Sequence, residues 1–156
     1  MARVHTFSES SRLAASRGEV WARVSTFAGV NDELGPLLRM TAPRDVQTLD
    51  AETVTIGERI CRSWVFALGV IPVDYDDLVL ASIDPGRGFS ERSTLLSARC
   101  WHHDRTLSDL AEGGTRVLDE LRFEPRVPAL GGLQARMLSA VFRHRHRRLR
   151  RHFGTA

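Results

Sequence analysis

Trp101, His103, Arg105 and Leu107 occupy alternate positions of one run, and Val117, Asp119, Leu121 and Phe123 do the same in the next. Side chains alternate between the two faces of a strand, so each set shares a face. The second set is mostly apolar, so its face should point inward. If the Glu112-Gly113-Gly114 turn keeps the strands in phase, His103, Arg105 and Asp119 meet as a polar cluster in an apolar interior. A one-residue slip or a bulge would reverse one strand. A buried carboxylate needs a partner, and arginine or histidine supplies it. Three roles are open to such a cluster. It can be an internal ion pair that holds two strands in register. It can orient a ligand oxygen. It can do acid–base work, with His103 or Asp119 moving protons and Arg105 stabilising an enolate oxygen. No residue is assigned as catalytic. His102 and Asp104 fall on the opposite, solvent-facing side. Adjacent strand residues point apart, so no metal site is expected from them.

Trp64 and Phe66 share a face of an earlier strand, where they line the same cavity or pack as core. The segment Ala67–Pro72 is apolar but contains glycine and proline, which reads as a hairpin tip. Loops normally face water. An apolar tip therefore covers a cavity mouth, meets a partner subunit as in a homodimer, touches a membrane surface, or folds back into the core. All 22 Lys and Arg positions are arginine, and six of them lie between Arg143 and His152. The chain carries a formal +3, so with +6 in this segment the remainder is −3. Leu149 and Phe153 recur at core spacing there, so the segment reads as an amphipathic helix with a basic outer face, favoured by the dipole at a helix C-terminus. No aromatic residues interleave the arginines on that face, and nucleic acid is not expected as a partner. Gly86-Arg87-Gly88 sits between two strands and lacks the helix a nucleotide fingerprint requires. Nucleophile motifs, phosphate loops and zinc signatures are missing from the sequence, and no cofactor is expected.

The elements that must position these residues follow from periodicity. Val4–Leu13 alternates as a first strand, and Glu19–Phe27 has helical spacing. Asn31-Asp32 offers an N-cap for a second helix, Glu33–Met40, which Gly35-Pro36 could split. Strands are expected over Val54–Phe66, Val73–Ile83, Phe89–Leu96, Ser97–Leu110 and Thr115–Glu124, with a turn at Asp84–Gly88. A long helix, Leu130–Phe153, closes the chain. At 156 residues, 42% hydrophobic and 26% charged, residues 1–156 read as one globular domain. Met1–Ser10 has no apolar core of the secretory kind. The longest apolar run, Trp64–Val73, is far short of the ~20 residues a spanning helix needs. Cys61 and Cys100 both fall in strands and read as small buried hydrophobes, with a reducing cytoplasm as the expected compartment.

Trp101-x-His103, Gly114-Thr115-Arg116-Val117-x-Asp119-x-Leu121-x-Phe123, Phe142-x-x-Arg145-x-x-x-Leu149-x-x-x-Phe153 and the apolar tip Leu68–Pro72 together resemble the START-like (SRPBCC) superfamily. That superfamily includes polyketide cyclases and plant lipid-binding proteins. The resemblance implies an α+β helix-grip fold: an antiparallel sheet wrapped around a long C-terminal helix, with two short helices after the first strand. It implies a cavity between sheet and helix that binds a small, largely hydrophobic molecule such as a lipid or polyketide. Trp64, Phe66, Trp101, Leu121, Phe123, Met137 and Val141 would form its walls, with His103, Arg105 and Asp119 as polar anchors. A second reading is a cyclase or dehydratase that uses the His103/Arg105/Asp119 cluster. A third is an interaction protein that uses the apolar tip or the basic helix face. Fold alone does not choose among them.

Overall fold

Two hydroxyl side chains break the early part of the chain into short helices. A computed structural model describes residues 3–156. Strand β1 (His5–Leu13) leads to Ser16, whose side chain caps helix α1 (Arg17–Val24) while Glu19 reaches back to the Ser16 amide, 2.9 Å away. This reciprocal pair satisfies two otherwise orphaned donors. Thr26 then adopts an extended conformation and accepts from the Gly29 amide at 2.9 Å, which starts helix α2 (Phe27–Leu34). The expected single helix over Glu19–Phe27 is therefore two helices meeting at a corner. Gly29 fits that corner because a Cβ there would lie 1.9 Å from the Arg23 carbonyl oxygen.

The helix expected over Glu33–Met40 does not form. Helix α2 ends at Leu34, and Leu38–Met40 is a short strand, β2. Asn31, which reads as a cap, instead clamps that strand. Its amide nitrogen donates to the Met40 carbonyl at 2.9 Å, and its oxygen accepts from the Met40 amide at 2.7 Å. A side-chain amide thus makes the pair of bonds that a neighbouring strand would make.

The remaining strands are β3 (Arg59–Ala67), β4 (Ile71–Asp84), β5 (Gly88–Leu95), β6 (Ala98–Asp109) and β7 (Thr115–Pro125). A 3₁₀ turn, Pro128–Leu130, leads into helix α3 (Gly131–Phe153). The seven strands form one antiparallel sheet in the order β1-β7-β6-β5-β4-β3-β2. Register breaks fall in β3, in β4 and near the start of β6. Such bulges bend a sheet and increase its twist, and here the sheet curls around α3. The α+β helix-grip architecture is the observed fold.

Two apolar clusters hold α3 to the sheet. Leu149 packs with Leu13, Val20, Val24, Leu107 and Val117, and Phe142 packs with Leu95, Trp101, Leu121 and Phe123. Each such buried side chain contributes about 1.5–3 kcal/mol. A third cluster, around Phe27, Leu78 and Leu80, joins α2 to β4. The basic end of α3 is not simply a solvated face. Arg145 and His146 are buried, Arg150 donates to Ser11 Oγ at 2.7 Å, and Arg148 donates to the Asp32 carbonyl at 2.9 Å. Cys61 is half-buried and Cys100 is exposed, so Cys100 is not the buried hydrophobe that its strand position suggested. No helix among the described residues is long and apolar enough to cross a membrane.

Candidate functional site

Arg105 and Asp119 face each other across the β6–β7 ladder. Arg105 Nε and Nη2 donate to the two Asp119 oxygens, each at 2.7 Å. His103 Nε2 and His146 Nε2 each lie 2.8 Å from the same carboxylate. An ionised carboxylate only accepts, so both rings donate. The far side of the Arg105 guanidinium meets both oxygens of Glu33 from α2, at 2.8 and 3.0 Å. Glu33 also accepts from Arg145 Nε of α3 at 2.9 Å. One buried network therefore ties α2, β6, β7 and α3 together.

The electrostatics of this network are self-consistent. Burial pushes the Asp119 carboxyl up, but the Arg105 charge and hydrogen bonds, with those of His103, outweigh it and hold Asp119 well below the usual range. Burial likewise opposes ionisation of Glu33, and Arg105 and Arg145 overcome it, so Glu33 is lowered. Burial depresses His103, while Asp119 and Glu91 more than compensate, so the imidazole is raised and favours its cationic form. Arg105 and Asp119 saturate each other and are sealed in the core. This removes both from the groups a ligand can touch, and it weakens the acid–base role considered for them.

Above this network lies a recess of about 540 Å³ between the sheet and α3. Its walls are apolar: Phe27, Val30 and Leu34 from α2, Leu78 and Leu80 from β4, Phe89 and Leu95 from β5, and Leu138, Val141 and Phe142 from α3. Leu37, Val73, Leu130 and Leu133 stand partly exposed around the opening. At the rim Asp74 accepts from Ser97 Oγ at 2.5 Å, and Gln134 of α3 donates to the same oxygen at 3.0 Å. That chain of bonds ties the helix to the sheet at the mouth.

The residues singled out from sequence divide into three groups. Trp101, His103, Met137 and Val141 line the recess, with Met137 at the opening and 62% exposed. Leu121 and Phe123 are buried beneath, Phe123 tilted against Trp101 with ring centroids 6.3 Å apart, and Arg105 and Asp119 lie with them below the cavity floor. Trp64 and Phe66 do not reach the recess. Strand alternation turns Val65 inward and Trp64 outward, where Trp64 is 40% exposed and meets Tyr75 edge-on.

Two acids that sequence reading passed over stand in the recess. Asp76 of β4 and Glu91 of β5 both line it, and each is only 6% exposed. The two carboxyls lie close enough for each to act on the charge of the other, with Ser93 between them along β5. His103 Nδ1 lies 3.5 Å from Glu91 Oε2. Burial, then the charge of Glu91, pushes Asp76 well above the usual carboxylate range. Burial also opposes ionisation of Glu91, but His103 outweighs it and lowers Glu91. Asp76 Oδ1 and Glu91 Oε1 are buried without a donor from the described residues. The sequence signal was present in phase: Asp76 alternates with Leu78 and Leu80, and Glu91 with Ser93 and Leu95. A charged residue in step with an inward apolar series is what marks such a position. No cluster of three or more potential ligands among the described residues is arranged to hold a metal ion.

The profile of a family described as a domain of unknown function, DUF8410, matches residues 11–153. The chain belongs to this family. No curated protein matches this DUF8410 chain by sequence. Its fold recurs among solved structures. Protein CV1439 from Chromobacterium violaceum is similar at TM-score 0.71 and 14% identity, over 97% of this chain and 99% of that one. A START superfamily protein from Mycobacterium smegmatis is similar at TM-score 0.67 and 12% identity, over 96% and 97%. DynU16, a putative protein in the dynemicin biosynthetic locus, is similar at TM-score 0.61 and 15% identity, over 96% of this chain but 48% of its own. At these identities the likeness is one of fold. The DUF8410 chain has the START-like (SRPBCC) helix-grip fold.

Proposed function

We propose that this protein binds a small, largely apolar molecule in the recess between its sheet and α3. The observation that carries the reading is the composition of that recess: about 540 Å³ of space with mainly aliphatic and aromatic walls, and a few polar groups converging at one place. Pockets of this size and balance suit small-molecule ligands, with the apolar wall supplying affinity and the polar groups orientation. The anchors in this reading are His103, Asp76 and Glu91, with Arg105 and Asp119 acting behind His103 as its support. Lipids and polyketides are the ligand classes that fit such walls. The whole chain works here as one START-like unit in a reducing cytoplasm, which its two free cysteines suit.

Native mass spectrometry of the purified protein, followed by solvent extraction, tests the reading and also counts subunits, on which the homodimer expectation rests. A stoichiometric apolar compound, or saturable binding of 2-methylnaphthalene to emptied protein, is the expected result. Val141→Trp, which fills the recess from α3, should weaken that binding by tenfold or more, roughly 1.4 kcal/mol. If emptied protein binds no apolar probe, or if Val141→Trp leaves the affinity unchanged, the recess is not the binding site.

A further inference from the structure

The Asp76–Glu91 pair is a polar feature of the recess that the buried ion network does not absorb. Every acidic side chain in that network has a cationic or imidazole partner: Arg105 and Arg145 for Glu33, and Arg105, His103 and His146 for Asp119. Glu91 has His103. Asp76 has no arginine or histidine within ion-pair distance among the described residues. Two carboxyls held against each other in an apolar pocket cannot both ionise, so one proton stays with the pair. The partner of His103 is the one that remains charged, which leaves the proton on Asp76. The pair then presents one O–H donor and one carboxylate acceptor, side by side, at the edge of an apolar cavity.

Resting on the recess as the binding site, we propose that Asp76 and Glu91 form a hydroxyl-recognition site, whose ligand is a neutral alcohol, phenol or enol on an apolar skeleton. A hydroxyl is both donor and acceptor. It accepts from the Asp76 carboxylic acid and donates to Glu91, and so gives the two orphaned oxygens, Asp76 Oδ1 and Glu91 Oε1, partners in the bound state. An ether or ketone can only accept, and leaves Glu91 without a donor from the ligand. An ammonium group can only donate, and must displace the proton from Asp76 to bind.

Four fluorescent probes of one shape separate these cases: 2-naphthol, 2-methoxynaphthalene, 2-methylnaphthalene and 2-naphthylmethylammonium. The expected order has 2-naphthol tightest, by about tenfold or more over the methyl ether and the hydrocarbon, the usual worth of a hydrogen bond to a charged or acidic group. Asp76→Ala should abolish the preference of 2-naphthol over 2-methoxynaphthalene, read as the ratio of the two affinities in the same variant. Asp76→Asn, which keeps a donor of the same shape, should retain part of it. Carbon-13 NMR of carboxyl-labelled protein gives a readout that needs no ligand. The Asp76 carboxyl should show the chemical shift of the neutral acid at neutral pH. The groups that act on it are Glu91 and Ser93 of β5, Asp74 on its own strand and Cys61 of β3, and the charged groups elsewhere in the recess lining are His103 of β6 and Arg145 of α3. Equal binding of the hydroxyl, ether and hydrocarbon probes would overturn the assignment and leave the recess reading standing. Tightest binding of the ammonium probe, or an ionised Asp76 by NMR, would replace it with a cation site. If no naphthalene probe binds at all, the recess reading fails first and this assignment with it.

Discussion

Glu33 and Arg105 lie 72 positions apart in sequence, yet they meet in the core through two parallel hydrogen bonds of 2.8 and 3.0 Å. This fork joins a short helix near the start of the chain to the centre of the sheet. Arg145 then extends it to the last helix. The pair thereby ties to the sheet the helix whose Phe27, Val30 and Leu34 wall the recess.

Removing one partner leaves a buried charge without compensation. Glu33→Gln should therefore cost about 3–5 kcal/mol of stability in urea unfolding. A loss under about 1 kcal/mol would show that the fork is open to water and is not what holds α2 in place.

Stability should fall on both sides of a neutral plateau. Glu33 and Asp119 are lowered in the folded state, so their contribution is full above the ordinary carboxylate range and is lost as pH falls through their folded values. His103 is raised, so its contribution is full below the ordinary value of 6.5 and fades as pH rises through its folded value. Urea midpoints measured across acid, neutral and alkaline pH check both limbs. His103→Gln should flatten the alkaline fall and also soften the acid one, because His103 helps to hold Asp119 and Glu91 low. An unchanged alkaline limb in that variant would mean His103 is not the titrating group.

Asp76 works in the opposite sense to the lowered acids. Its folded form favours the proton, so the wild type loses stability as pH rises from the ordinary carboxylate value through the raised one. Asp76→Asn removes that loss. It should be more stable than wild type at neutral pH by about 1 kcal/mol, the low end of the cost of an unsatisfied buried polar group. The gap should widen with rising pH and close in acid. A destabilised Asn variant at every pH would mean that the Asp76 oxygens are already satisfied in the free protein.

The hairpin between β3 and β4 turns on Leu68 and Gly69, both at positive φ, 51° and 76°. Leucine is strained there, by roughly 1–2 kcal/mol, and asparagine much less. Leu68→Asn should stabilise the protein by up to about 1 kcal/mol in thermal or urea unfolding. Leu68 is 68% exposed, and its amide donates to the carbonyl of Leu37, a residue of the recess wall. If the side chain covers the mouth, the same variant should speed release of 2-methylnaphthalene in stopped-flow fluorescence. An unchanged release rate would assign the tip no role in access.

What could be read before the structure was the part governed by alternation. The facing pair Arg105 and Asp119 follows from two strands in phase, and the grip of α3 follows from the spacing of Phe142, Leu149 and Phe153. What could not be read depends on distances that no local period encodes. Glu33 looks like a surface residue of a short helix, and nothing in its neighbourhood announces a partner at position 105. His146 lies in a run of arginines that reads as solvated, although it falls four residues after Phe142 on the same helix face. Asp76 is masked by Asp74 and Asp77, which make the strand look polar on both faces. The end of α2 was misplaced because Asn31 imitates a cap while bonding to a strand.

The order of the sheet also bears on how the protein is made. Strand β1 leaves the ribosome early, yet its ladder partner is β7, with His5 opposite Phe123. Its last turns are secured only when α3 arrives, as in the bond between Ser11 and His146 across 135 positions. Throughout translation of β3 to β6 this first strand has no native neighbour, and its backbone groups stay available to chaperones or to other nascent chains. Pairings of this span are slow to form. The step that pairs the first strand is therefore the same step that roofs the cavity, so the binding site comes into being only at the close of folding.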